Sequence, residues 1–155
     1  MLINLSIGLP TVLLCLVLQA ALTFWSVRYY YRQSEREAVI AGPFIQIRSL
    51  LVVMVVLVLG NFLQIMIWGL LFMALGEFSE LYEAVYHSAV NFSSLGYGDV
   101  VMTKPWKLLG PLEAANGVLM FGLTGAALMA ILQQMIRAQA DKAGLSVDPS
   151  KEMSA

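Results

Sequence analysis

Three stretches of this chain are too long and too apolar to be read as anything other than membrane spans. Ile3 to Val27, Ser49 to Gly76 and Leu112 to Ile136 are free of charge apart from Glu113, which lies close to one end of the third. Each exceeds the ~20 residues needed to cross a hydrocarbon layer ~30 Å thick. The chain as a whole is 59 % hydrophobic and 12 % charged, too little charge to cover the surface of a water-soluble domain. The first block lacks the basic start and the small-residue cleavage pattern of a secretory signal, and positive residues follow it, so it reads as an uncleaved helix. The expectation is an all-α membrane protein with three transmembrane helices.

Charge in the connecting segments orients those helices. Arg28, Arg32, Arg36 and Arg48 lie between the first and second blocks, and no Lys or Arg precedes the first. The positive-inside rule places that segment in the cytoplasm and the amino terminus outside. Arg137 and Lys142 then fall inside, after the third helix. The stretch between the second and third helices faces outward, with Glu77, Glu80, Glu83 and Asp99 against Lys104 and Lys107.

The same composition excludes several classes. A net charge of −1 without a dense Lys/Arg cluster gives no signal for nucleic acid. Cys15 is the single cysteine and His87 the single histidine, so an intrachain disulfide is impossible and a zinc site is not expected. Nothing in the chain resembles the constellation of an enzyme, and no organic cofactor is implied. No helix carries the spaced arginines of a voltage sensor.

The expected organisation is an amino-terminal transmembrane helix over 1–27, a cytoplasmic or interfacial linker over 28–48, a pore domain over 49–137 and a disordered cytoplasmic tail over 138–155. Tyr29, Tyr30, Tyr31 and Phe44 suit an interfacial position for the linker, and Gly42-Pro43 breaks it before the second helix. Within the pore domain the outer helix covers 49–76 and the inner helix 111–137. The outer helix runs roughly 28 residues, ~42 Å, so it tilts or projects from the bilayer. Asn61 and Gln64 share one of its faces and read as polar glue between helices.

Between those helices lies a segment too short and too polar to span. Ser79 is placed to cap a helix over 80–92, with Glu80 and Glu83 in its first turn. Leu81, Val85, Tyr86, Ala89, Val90 and Phe92 continue at helical spacing. About 13 residues reach ~20 Å, half way through a bilayer. Its carboxyl end carries partial negative charge, which favours a cation at the membrane centre. Gly96 and Gly98 can adopt positive φ, so carbonyls of the returning strand can face one axis and replace a cation's hydration shell. One strand cannot surround an ion, so symmetry must supply others.

Ser94-Leu95-Gly96-Tyr97-Gly98-Asp99, preceded by Ser93, resembles the filter signature of the pore-loop potassium channel superfamily, usually Thr-Val-Gly-Tyr-Gly-Asp; the carbonyl filter is also a standard example of ion selectivity. The resemblance covers Glu77 to Ile136 and is nearest to small bacterial two-transmembrane-type potassium channels, here with an extra amino-terminal helix. It implies K+ as the permeant ion, held by the Ser94, Leu95, Gly96 and Tyr97 carbonyls and the Ser94 hydroxyl, with Gly98 completing the filter strand. It further implies a homotetrameric pore in a bacterial plasma membrane, surrounded by lipid and without a known protein partner. Asp99 would anchor the outer end of the filter, and the Tyr97 ring would pack against neighbouring pore helices.

The sequence departs from the family at several places. Ser94 replaces Thr and Leu95 replaces Val or Ile, and both changes stiffen the strand less. Val90 stands where some members carry a carboxylate that pairs with the outer Asp, and Tyr86 and His87 stand where paired tryptophans are frequent. His87 reads as a packed ring before it reads as a proton sensor. On the inner helix, Pro111 suits the first turn, while Glu113 and Asn116 are candidates to support the filter. Gly117 and Gly122 are possible hinge positions, although they and Gly125 also suit close helix packing. A weakly selective K+/Na+ channel and a non-conducting regulatory subunit are the competing readings.

Overall fold

The computed structural model describes residues 1–37 and 43–142, with the side chains of 34–46 and of 141 and 142 outside the description. Four helices follow in order: α1 (Leu2–Glu37), α2 (Pro43–Ala74), α3 (Leu81–Phe92) and α4 (Leu109–Lys142). Leu2–Gln33, Ile47–Ala74 and Leu109–Ala140 are long and apolar enough to cross a membrane. Helices are the natural outcome, because hydrocarbon offers no partner to a backbone amide and an α-helix satisfies its own. The chain is a multi-pass, all-helical membrane protein.

α1 lies along both α2 and α4, and α3 is wedged between α2 and α4. At the end that holds α3, the core gathers Cys15, Ile65, Trp68, Phe72, Phe92, Leu109 and Met120. At the opposite end Tyr30, Val53, Leu57, Ala127, Ile131 and Met135 form a second cluster. A polar node stands between them. Gln64 donates to Gln19 Oε1 (2.8 Å), Gln19 donates to the Thr124 hydroxyl (2.8 Å), and Asn61 reaches that hydroxyl at 3.4 Å. Asn61 and Gln64 are therefore the interhelical glue expected of them, with partners on α1 and α4. Gly60 allows the crossing beside this node: a Cβ there would lie 2.5 Å from Leu22 Cδ1.

Several boundaries differ from expectation. α1 does not end at Val27 but continues through Glu37, so 28–37 is helix and not a separate linker. Tyr30, 2 % exposed, explains the extension: it is built into the second core cluster, whereas Tyr29 and Tyr31 point outward. Pro43 opens α2, where its missing amide costs nothing. α4 runs to Lys142, so the first residues of the expected disordered tail are helical. Residues 143–155, and 38–42 of the expected linker, lie outside the described residues.

Candidate functional site: the pore loop

α3 has 12 residues, ~18 Å of helix, and cannot cross a bilayer. Its N-cap is Glu80 and makes no side-chain capping bond. The Ser79 cap is thus not formed, because the helix begins one residue later than that role requires. Glu83 does occupy the first turn, where the macrodipole favours it. The carboxyl end closes on Ser93, whose hydroxyl and amide both donate to the Ala89 carbonyl.

The strand that follows has an unusual backbone. φ is positive at Ser94 (59°), Gly96 (60°) and Gly98 (74°), every second residue. Ser94 N–H donates to Asn91 O at 2.8 Å, and the Leu95 and Gly96 amides both donate to Val90 O, at 3.0 and 3.4 Å. Amides are thereby turned back onto the end of α3. No carbonyl from Ser94 to Gly98 accepts a hydrogen bond among the described residues. All five residues are exposed in the single chain. The result is a short row of unpaired carbonyl oxygens at the negative end of a half-length helix. Positive φ is permitted to glycine and avoided by β-branched residues, so serine suits position 94 in this backbone better than threonine does. Val90, whose side chain is no bracing acid, supports the strand through its carbonyl.

Asp99 is braced from a different residue than the resemblance implies. Tyr86, one turn before Val90 on α3, donates its hydroxyl to Asp99 Oδ2 at 2.6 Å, and the Val100 amide reaches Oδ1 at 3.0 Å. The Tyr86 hydroxyl holds the Asp99 carboxyl below its ordinary value, and the same bond pushes the phenol up. His87 adds a second strut. Its Nδ1 lies 3.0 Å from Val100 O, which only accepts, so Nδ1 carries the proton and Nε2 accepts from the Asn91 amide at 2.9 Å. Phe72 and Phe78 enclose the ring, and burial lowers its pKa. His87 is a packed ring. Farther out, Glu77 accepts from both the amide and the hydroxyl of Thr103, tying the end of α2 to the returning chain.

α4 backs this assembly. A Cβ on Gly117 would lie 1.8 Å from the Phe92 carbonyl oxygen, so here the α4 backbone touches the end of α3 directly. Gly117 is a contact glycine in this structure, while a Cβ on Gly122 would meet no other group within 4 Å among the described residues. Glu113 is fully buried and bonded to Ser88 of α3; Asn116 is buried one turn farther along. Tyr97 is 66 % exposed and, with Leu95, Tyr86, Phe62 and Phe121, borders an apolar groove of about 570 Å³ on the flank of the chain. Sequence reading missed Tyr86, Ser88, Glu77 and Thr103 as supports, since each acts on a residue 13 or more positions away.

A family model described as an ion channel matches residues 51–134, from early α2 through the pore loop and most of α4. No curated protein and no solved structure matches the chain. With more than half of its residues matched, and with a half-length helix ending in a carbonyl-lined strand between two spanning helices, the chain belongs to this ion channel family.

Proposed function

We propose that the chain is one subunit of a homotetrameric potassium channel, which conducts K+ passively through four Ser94–Gly98 strands arranged around a common axis. The observation that carries this reading is the alternation of positive φ at Ser94, Gly96 and Gly98, with amides bonded backward and carbonyls left without partners. Oxygen dipoles so arranged can replace the hydration shell of a dehydrated monovalent cation. One chain supplies one wall, so closure requires symmetric copies. Tyr97 and the apolar groove beside it give each copy a surface for its neighbour. The ion sites are assigned to the carbonyls of Ser94, Leu95, Gly96 and Tyr97, with Gly98 and Asp99 at the outer end. The Arg distribution supports an outward-facing loop and a cytoplasmic carboxyl terminus in the plasma membrane.

A weakly selective K+/Na+ channel on the same frame is the second reading, favoured by the unbranched Cβ of Ser94 and of Leu95, whose side chain is 58 % exposed in the single chain. Flux from K+-loaded liposomes, compared for K+, Na+ and Ba2+, separates the readings. K+ flux that Ba2+ blocks and Na+ does not replace is expected. Equal K+ and Na+ flux supports the weakly selective channel, and no flux supports a non-conducting subunit.

A further inference from the structure

Ser88 lies on α3 with no exposed surface, and its single hydroxyl proton has two acceptor neighbours. Its Oγ is 2.8 Å from the main-chain carbonyl of Ile65 on α2, and it also meets Glu113 Oε1 on α4. A carbonyl oxygen only accepts, so the Ile65 contact consumes the serine proton. The contact with Glu113 then needs a proton from the other side. A carboxylate has none, and two oxygens facing each other through lone pairs repel. A carboxylic acid has one.

The surroundings agree with that count. Glu113 is completely buried, and its Oε2 has no hydrogen-bond partner among the described residues. The polar side chains near the carboxyl are Ser88 and Asn91 from α3 and the Cys15 thiol from α1, which in turn faces the Trp68 indole of α2 and Asn116 of α4. Cys15 is the one titratable group among them, and none of them is a cation. His87, also on α3, is turned to Val100 and Asn91. An ionised carboxylate here would be a buried charge without a counter-charge, an arrangement that folded proteins avoid.

We infer that Glu113 is a buried proton-binding site: the neutral acid donates to Ser88, and Ser88 donates to Ile65. The bound proton is thus the link in a directional hydrogen-bond chain that joins α4, α3 and α2 behind the filter. It acts as a structural ligand that holds the half-length helix between its two neighbours. The inference does not depend on which ion the channel conducts.

Infrared spectroscopy of the full channel in lipid at neutral pH tests it, because the C=O stretch of a carboxylic acid is separate from the bands of a carboxylate. A carboxylic-acid band is expected that moves on heavy-carbon labelling of glutamate and is unmoved by labelling of aspartate. Glu113→Gln, which keeps an N–H donor toward Ser88, is expected to lose that band and to retain wild-type thermal stability. Absence of any glutamic-acid band in the labelled wild-type channel overturns the inference, as does a band that persists in E113Q. The wild-type measurement stands even if the variant does not fold.

Discussion

At the scale of single residues, the pore loop depends on contacts with almost no tolerance. Gly117 touches the last carbonyl of α3 so closely that a methyl group there would overlap it. Gly117→Ala must therefore push α3 and the filter strand away from α4, a form of overpacking that costs about 1–3 kcal/mol or more. Gly122→Ala meets no neighbour and improves helix propensity by up to about 1 kcal/mol. Thermal denaturation of the two purified variants should show a large loss for the first and no loss for the second. Equal behaviour would sink the contact assignment. The Tyr86–Asp99 bond makes a prediction with a sign in pH. Because Asp99 has a depressed pKa in the folded state, the bond's contribution is present above the ordinary carboxyl range and is lost as pH falls through the depressed value. Tyr86→Phe should accordingly lower stability at neutral pH, and the gap to wild type should close in strong acid. A gap that is constant across pH would mean that the hydroxyl does not act through the Asp99 charge.

At the scale of elements, the question is what a third spanning helix contributes beside a two-helix pore module. α1 is not a loose addition, since its Gln19 sits at the centre of a node reaching α2 and α4. Gln19→Leu removes the nearer of the two donors to the Thr124 hydroxyl, leaving only Asn61 at 3.4 Å, and leaves the Gln64 amide without its acceptor. Interhelical hydrogen bonds in membranes contribute ~0.6 kcal/mol each on average and up to ~1.7, so the single variant should lose about 1–2 kcal/mol. Replacing Gln19, Gln64 and Thr124 together by Leu, Leu and Val removes both partners of the two 2.8 Å bonds, at the expense of the longer Asn61 contact, and should restore part of that loss. Unfolding in detergent or bicelles measures both, and a triple variant weaker than the single one would contradict the node. This is also the scale at which the sequence is most legible. Apolar blocks of this length become helices because an α-helix satisfies its own backbone in lipid, and the string from Ser94 to Asp99 marks the pore loop by its resemblance to a known filter signature. Helix ends were harder to read. α1 overshoots Val27 because Tyr30 finds a pocket among Leu57, Ala127 and Ile131, which local sequence cannot reveal. Ser79 resembles a cap, but the chain enters α3 at Glu80. The struts at Tyr86 and His87 depend on where a returning strand passes, a path decided by backbone angles rather than by residue spacing, and Ser88 depends on how α2 and α4 pack against α3.

At the scale of the whole molecule, the exposed surface is what one copy leaves unfinished. Leu95 and Tyr97 are open to one side, and the carbonyls between Ser94 and Gly98 have, among the described residues, neither amide nor side chain to accept from. Closing four such strands together without an ion would bring rows of oxygen dipoles into mutual repulsion, whereas a dehydrated cation of matching size cancels it. In the proposed assembly the permeant ion therefore binds the complete tetramer and not the separated chain. Mass action then requires that K+ stabilise the tetramer by RT ln(1 + [K+]/Kd), about 2.7 kcal/mol when K+ is a hundredfold above its dissociation constant. Tetramer in K+ should dissociate at a higher temperature than the same preparation in a bulky organic cation that cannot enter the strand. Na+ should fall between the two or match the organic cation if the filter is selective, and should match K+ if Ser94 and Leu95 leave it loose. Dissociation temperatures that are the same in all three cations would remove the carbonyl strand from the list of ion sites, because an ion that conducts through those oxygens must also, at some concentration, bind them.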